Sequence, residues 1–408
     1  MTTISGTNKV LNIVVIVAAL GYFVDIYDLI LFGVVRVQSL ADIGIPPDQI
    51  KDAGVHLINM QMMGMIMGGI VWGILGDKRG RLSVLFLTIL LYSLANIANG
   101  FVQTYQQYEW LRAIAGFGLA GELGIGITLV SEVMTKETRG WGTSIVSGVG
   151  IAGATLAYLV AEWGWKEAYW AGGVLGLLLL ALRVYVHESG MFGKVKESKV
   201  SRGNFLSIFL TKEKFLKYIY CILLGVPVWF VIGILVMFSK EFGDYLKISE
   251  TIIPGKSIMY HYIGASLGSL ITGFLSQWLK SRKKSILIAL VALTISITGY
   301  FAAFGASAGL FYLIIFILGL AQGYWAIFVT VASEQFGTNI RSTVTTTAPN
   351  FVRGSLVLMT LGWNSLALSM GIWNSAMIVG GIVMLLAFVS LFNLKETYGK
   401  DLDYIEVE

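Results

Sequence analysis

Long apolar runs alternate with short polar segments along the whole chain. A helix that crosses a bilayer takes ~20 mostly apolar residues. Read at that length, the pattern predicts spans over 10–36, 54–76, 83–103, 106–131, 141–162, 168–187, 217–239, 255–279, 285–304, 308–333, 343–368 and 373–394. Two charge-free runs are too long for one helix. Ser285–Ser333 divides at Gly305-Ala-Ser-Ala-Gly309, and Gly354–Leu394 divides near Asn364 to Asn374, where the turn is short and only mildly polar. The first stretch follows a single base, Lys9, yet runs past the length of a secretory signal and lacks a small-residue cleavage site, so it reads as a retained helix. The expected fold class is an all-α membrane protein with twelve transmembrane helices.

The polar positions orient this pattern. Between two apolar stretches stands Gly73-Ile-Leu-Gly-Asp77-Lys-Arg-Gly-Arg81, with no other charge from Ala53 to Glu109. With the N-terminus placed in the cytoplasm, six of the 29 Lys and Arg fall outside (Arg36, Lys51, Lys166, Lys240, Lys247, Lys256) and three within helices (Arg112, Arg183, Arg353). All others fall on the cytoplasmic side, a strong positive-inside bias. Both termini are then cytoplasmic, in a cell (inner or plasma) membrane. The net charge of +5 is a consequence of topology and does not point to nucleic acid.

Composition agrees with this reading. Charged residues make up 13%, against about 25% in soluble domains, and mean hydropathy is +0.76. The 48 glycines suit helices that pack closely in lipid, as in Gly148-x-Gly150-x-x-Gly153 and Gly264-x-x-x-Gly268. A lone cysteine, Cys221, excludes an internal disulfide, and the histidines His56, His187 and His261 are too scattered for a metal pattern. No cofactor or metal is expected.

An internal repeat divides the chain in two. Ser131-Glu132 is followed by Arg139, and Ser333-Glu334 by Arg341, at an offset of 202 residues. Gly273–Lys284 is a faded copy of the Gly73 cluster. The expected organisation is a six-helix bundle over 1–187, a charged cytoplasmic linker over 188–216, a second bundle over 217–395 and a tail over 396–408. Duplicated halves are a common architecture of secondary transporters.

Taken together, these residues resemble the major facilitator superfamily over essentially the full length. Gly73-x-Leu75-x-Asp77-x-Arg79-Gly80-Arg81 is similar to its signature loop between helices 2 and 3. Arg112-x-x-x-Gly116-x-Gly118 resembles its helix 4 motif, and Glu132 with Arg139 the loop that follows. His187-Glu188-Ser189 resembles the segment ending helix 6 in the sugar-porter branch, without its two prolines. Glu396-Thr-Tyr-Gly399-Lys400 resembles the ending after helix 12. The resemblance implies two six-helix bundles and a cytoplasmic gate formed by Gly73, Asp77, Arg79, Gly80, Arg81, Glu132 and Arg139, in which ion pairs between loops hold the halves shut.

Ionisable residues inside a membrane are costly and mark pathways. Asp25 and Asp28 lie three apart on the first helix and share a face. Carboxylates so close in a poorly solvated site do not both ionise easily, a property that proton coupling requires. The expected proton-coupling set is Asp25, Asp28, Arg112 and Glu122, with Arg112 as partner to one of the aspartates. Arg353 is the cation for a substrate carboxylate, because guanidinium matches that geometry. Glu122, Asn59, Gln61, Trp229, Gln322, Tyr324, Trp325 and Asn350 complete the expected cavity. His261 reads as a solvated or hydrogen-bonded histidine near a helix end. Glu109 and Glu162 sit at outer ends, and Arg183 snorkels.

The expected function is secondary active transport by alternating access: proton symport of a small carboxylate such as an organic acid, amino acid or betaine. The Asp-x-x-Asp of the first helix resembles that of metabolite and aromatic-acid proton symporters. Expected partners are the small-molecule substrate, protons and the lipid bilayer, with the protein a monomer. A proton antiporter exporting drugs or metal chelates is the alternative, lessened because the fifth helix lacks the proline signature of many drug antiporters. A membrane enzyme would need clustered His, Cys or acid residues at the surface, which are missing. A transporter-like sensor would carry a long soluble domain.

Overall fold

The computed structural model describes residues 13–135, 138–182 and 204–400, with only the backbone of Arg81, Leu82, Glu132 and Arg139. Lys9, Arg183, His187-Glu188-Ser189 and the charged stretch of the linker lie outside the described residues.

Twelve spans are present. They are α1 Ile13–Asp42, α2 Ile50–Arg79, α3 Arg81–Asn99, α4 Tyr105–Ser131, α5 Gly140–Ala161, α6 Trp165–Leu182, α7 Lys212–Val236, α8 Pro254–Trp278, α9 Arg282–Phe301 and α10 Ala308–Gln335, followed by α11 over 341–370 and α12 over 372–393. Local chemistry explains where they begin and end. Thr104 caps α4 in a reciprocal box with Gln107. Thr211, Ser281 and Ser307 cap α7, α9 and α10 by accepting from the third backbone N–H onward. Pro254 opens α8, where its missing N–H costs nothing. Between α2 and α3 the chain reverses at one residue, Gly80, with φ 108°. A side chain there would be strained, so the signature loop requires glycine at this position. The expected break between Asn364 and Asn374 falls on Gly371, with φ 77°.

Some expected boundaries move. α1 runs to Asp42, so Arg36, expected outside the membrane region, sits inside the helix and is buried. α7 begins at Lys212, one turn earlier than expected, after a short 3-10 turn over Phe205–Phe209.

The repeat seen in sequence is also a repeat of packing. Thr128 of α4 hydrogen-bonds Thr345 of α11 at 2.6 Å, and Thr330 of α10 donates to Thr143 of α5 at 3.1 Å. Thr330 lies 202 residues after Thr128, and Thr345 lies 202 after Thr143. The two bonds are therefore mates under the same pseudo-twofold relation. Helix breaks repeat likewise: α4 is interrupted at Ala120–Gly121 and α10 at Gln322–Tyr324.

Glycines set the closest crossings. A Cβ at Gly264 or Gly268 of α8 would stand 2.1 Å from a backbone oxygen of α10. These two belong to a tight contact within the second half.

Past α12, Glu396 ties the chain end to the start of α9. Its carboxylate accepts from the backbone N–H of Arg282 at 2.9 Å and Lys283 at 3.2 Å, and from the Ser281 hydroxyl. Partial burial pushes this carboxyl up, but the hydrogen bonds from Ser281 and from the N–H groups of Tyr398, Arg282 and Lys283 outweigh it and hold Glu396 below its ordinary range. The stabilisation is then complete above the ordinary carboxylate range and is lost as pH falls through the depressed folded value. Glu396→Gln should lower the thermal unfolding midpoint at neutral pH, by the equivalent of about 1 kcal/mol. The gap to the native protein should close below about pH 4, as read by a tryptophan-fluorescence melt across pH.

Candidate functional site

A cavity lies where the two halves meet. Tyr22, Ile26 and Leu29 of α1 and Ile151 of α5 line one side. Val228, Trp229 and Ile232 of α7, Tyr262 and Ala265 of α8, Gln322 and Trp325 of α10 and Arg353 of α11 line the other. Irregular helix positions several of these groups. Pro227 in α7 removes a backbone donor, and a π turn over Val231–Val236 follows, with Trp229 between them. The 3-10 turn of α10 sets Gln322 at its start and Trp325 just after it.

Arg353 is the cation of this cavity. Its Nη1 donates to Asn350 Oδ1 at 3.2 Å, and its Nη2 stands 3.8 Å from Asp25 Oδ2. The guanidinium lies 6.0 Å from the Trp325 ring centroid, and Trp325 Nε1 donates to the Tyr22 hydroxyl at 3.0 Å. Asn350 does not line the cavity. Its amide donates to Ala120 O and Thr346 O, both at 2.7 Å, and so holds Arg353 against the broken turn of α4. Arg353 Nε is buried with no hydrogen-bond acceptor.

Asp25 and Asp28 separate. Three residues of helix leave about 60° between two side chains, enough to send them to different neighbours. Asp25 reaches the second half, while Asp28 turns inside the first, towards Asn96 and Arg112. Its carboxyl fills the space left by Gly172 of α6, where a Cβ would come within 2.2 Å of Oδ1. Neither Asp28 oxygen makes a well-formed hydrogen bond. Arg112 acts on Asp28 through its charge, as expected of a partner to one of the aspartates. Arg112 donates to Asn96 Oδ1 at 3.3 Å and to Gln61 Oε1 at 3.5 Å, and lies 5.2 Å from the Tyr169 ring centroid. Asp25, for its part, stands 3.8 Å from Arg353 of α11.

Other expected residues lie away from the cavity wall. Glu122 is buried at the break of α4. Tyr324 turns its hydroxyl to Leu224 O at 3.1 Å. Asn59 is half-buried and receives Thr360 at 3.3 Å, and Gln61 donates to Leu29 O at 3.3 Å. His261, expected to be solvated or hydrogen-bonded, is fully buried with neither ring nitrogen in a well-formed bond. Tyr22 and Tyr262 of the cavity wall were missed by the sequence reading. Tyr22 carried a usable signal, its position three residues before Asp25.

Contacts between the halves close over both ends of the cavity. At the signature-loop end, Asp77 accepts from the backbone N–H of Ser342 at 3.2 Å and from both the N–H and the hydroxyl of Thr343 at 2.7 Å. The carboxylate thus sits on the N-terminus of α11, where the helix dipole favours an anion. This adds to the expected loop ion pairs a different partner, a helix end. Gly73 admits the approach, since a Cβ there would stand 3.0 Å from the Thr343 Cα. The lysine and Arg79 beside it are exposed, and the side chains of Arg81, Glu132 and Arg139 lie outside the described residues. In the second half Glu334 binds Arg282 in a fork, at 3.1 and 3.3 Å. At the opposite end, buried Arg36 of α1 pairs with Glu241 beyond α7 at 3.1 Å and lies 4.7 Å over the Phe238 ring.

These two cross-half contacts lie at opposite ends of the cavity. Asp77→Asn should raise the reactivity of a cysteine placed at Thr343 about 5- to 30-fold, the equivalent of ~1–2 kcal/mol at a helix terminus. Arg36→Gln should raise reactivity at Phe238 and leave Thr343 protected. Maleimide labelling in membranes reads both.

Comparison with known proteins places this geometry. The family model for the Major Facilitator Superfamily matches residues 18–357. A probable 4-methylmuconolactone transporter of Cupriavidus pinatubonensis is 27% identical over 82% of this chain and 79% of that protein. A putative niacin/nicotinamide transporter of Bacillus subtilis is 27% identical over 86% of this chain and 89% of that protein. The structure of the proton:xylose symporter XylE superposes with a TM-score of 0.76 at 17% identity, covering 96% of this chain and 97% of that one. The cavity between duplicated halves and the signature loop docked on α11 agree with the matched family: this chain is a multi-pass membrane transporter, not an enzyme, and belongs to the Major Facilitator Superfamily.

Proposed function

We propose that this transporter carries a small carboxylate together with a proton, by alternating access of two bundles over 1–187 and 217–395 about the central cavity. The observation that carries the reading is Arg353. It is a buried cation with one donor unused and a loose 3.8 Å pairing with Asp25. A substrate carboxylate docks on such a guanidinium in a two-bonded fork. It takes the charge that Asp25 was facing. Asp25, now without its counter-ion, accepts a proton.

Charge is conserved through the cycle. The empty site holds one guanidinium and one carboxylate. The loaded site holds the guanidinium, the substrate carboxylate and a neutral Asp25. Both states carry the same net charge into the low-dielectric interior, where an unpaired ion is strongly disfavoured. Asp28 and Arg112 position α1 against α3 and α4, and Glu122 stands at the hinge of α4. The cavity wall of Tyr22, Trp229, Tyr262 and Trp325 with aliphatic neighbours favours a substrate with an apolar or aromatic body. The relatives named for 4-methylmuconolactone and for niacin/nicotinamide support a small organic metabolite. The basic bias places the Asp77 end and both termini in the cytoplasm of a cell membrane.

Purified protein in liposomes, with the interior made alkaline, should accumulate nicotinate or benzoate above equilibrium. Asp25→Asn should keep exchange of internal for external substrate but lose accumulation driven by pH. Arg353→Gln should weaken carboxylate binding on the order of 10²-fold, the loss of a charge-assisted fork. pH-driven accumulation by Asp25→Asn at the native level would overturn the assignment of the proton to Asp25.

A further inference from the structure

We propose that Gln322, backed by His261, is a second polar subsite of the cavity, which takes a hydrogen-bonding group on the body of the substrate away from its carboxylate. The proposal rests on the carboxylate reading above and adds to it a requirement for a hydroxyl, carbonyl or ring nitrogen.

Three buried polar atoms carry it. Gln322 lines the cavity together with Arg353, yet its Oε1 is buried without a hydrogen-bond partner. Behind it on α8 is His261, fully buried, with Nδ1 and Nε2 both lacking a well-formed bond. The imidazole faces Gln322 and the Ile315 carbonyl, and its ring packs on Tyr262 of the cavity wall at 5.5 Å. A lone unsatisfied polar atom in such an interior costs about 1–3 kcal/mol. His261 has Ile315 O and Gln322 to turn to, so it is the cavity-facing end of the Gln322 amide that points to a ligand that completes it.

The chemistry of the pair defines what that ligand presents. A neutral imidazole holds one ring proton and one lone pair. Here that proton has two acceptors within reach, Ile315 O and Gln322 Oε1. When it points to Ile315, the lone pair receives the Gln322 amide N–H, and the amide carbonyl turns to the cavity to accept from a substrate hydroxyl. When it points to Gln322, the carbonyl is occupied and the NH₂ turns to the cavity to donate to a ring nitrogen or carbonyl. One histidine therefore lets one glutamine serve substrates of either sense, which an isolated amide in an apolar wall would do only by leaving its rear group unpaired.

The test is equilibrium binding of three probes to the purified full-length protein by calorimetry: benzoate, 3-hydroxybenzoate and nicotinate. The native protein should bind both substituted probes about 5- to 30-fold more tightly than benzoate. Gln322→Leu should bring all three to within about twofold of one another. His261→Phe should reduce both preferences, and reads the same point should the leucine variant fail to fold. A native protein with no preference, or preferences that survive in either variant, would overturn the subsite. Absence of binding by all three carboxylates, with Arg353→Gln no different, would instead overturn the carboxylate reading on which it stands.

Discussion

A charge placed in the middle of a bilayer has to be answered by another, and here the answer comes from the other half of the molecule. Asp25 on α1 and Arg353 on α11 are each fully buried, and each is the counter-ion of the other. The pair therefore holds the halves together when the cavity is empty, and any anion that enters competes for it. At 3.8 Å the pair is an ionic contact without a hydrogen bond, so an entering carboxylate displaces little.

Around this pair the architecture is symmetric in its hydroxyls and asymmetric in its signature loop. The two threonine pairs between α4 and α11 and between α5 and α10 repeat at the spacing of the duplication. So do the breaks of α4 and α10. The signature-loop contact does not repeat. Asp77 docks on the start of α11, while the faded copy places Gln277 against Gly140 at the start of α5. A neutral amide cannot respond to a helix terminus as a carboxylate does. The two copies therefore differ: Asp77 is hydrogen-bonded to the helix end it faces, and the Gln277 amide nitrogen is not.

Irregular backbone is confined to places where it positions function. In lipid every broken helical bond needs an internal replacement. The break in α4 is used by Asn350, which takes the freed Ala120 carbonyl and steadies Arg353. The break in α10 presents Gln322 and Trp325 on one short arc of cavity wall. The proline and π turn of α7 do the same for Trp229.

The sequence by itself determined the spans, their division into related halves and the signature loop, because a bilayer demands about twenty apolar residues per crossing and tolerates few charges within them. It also marked Asp25, Asp28, Arg112 and Arg353 as the costly ions of the interior. Pairing among them was decided only by the tertiary structure. A helical pattern tells which face a side chain occupies, but the residue opposite that face comes from a helix hundreds of positions away, set by how the bundles pack. For that reason Asp25 meets Arg353 while Asp28 faces Arg112, Arg36 lies buried beside Glu241 instead of in water, and His261 stands behind Gln322.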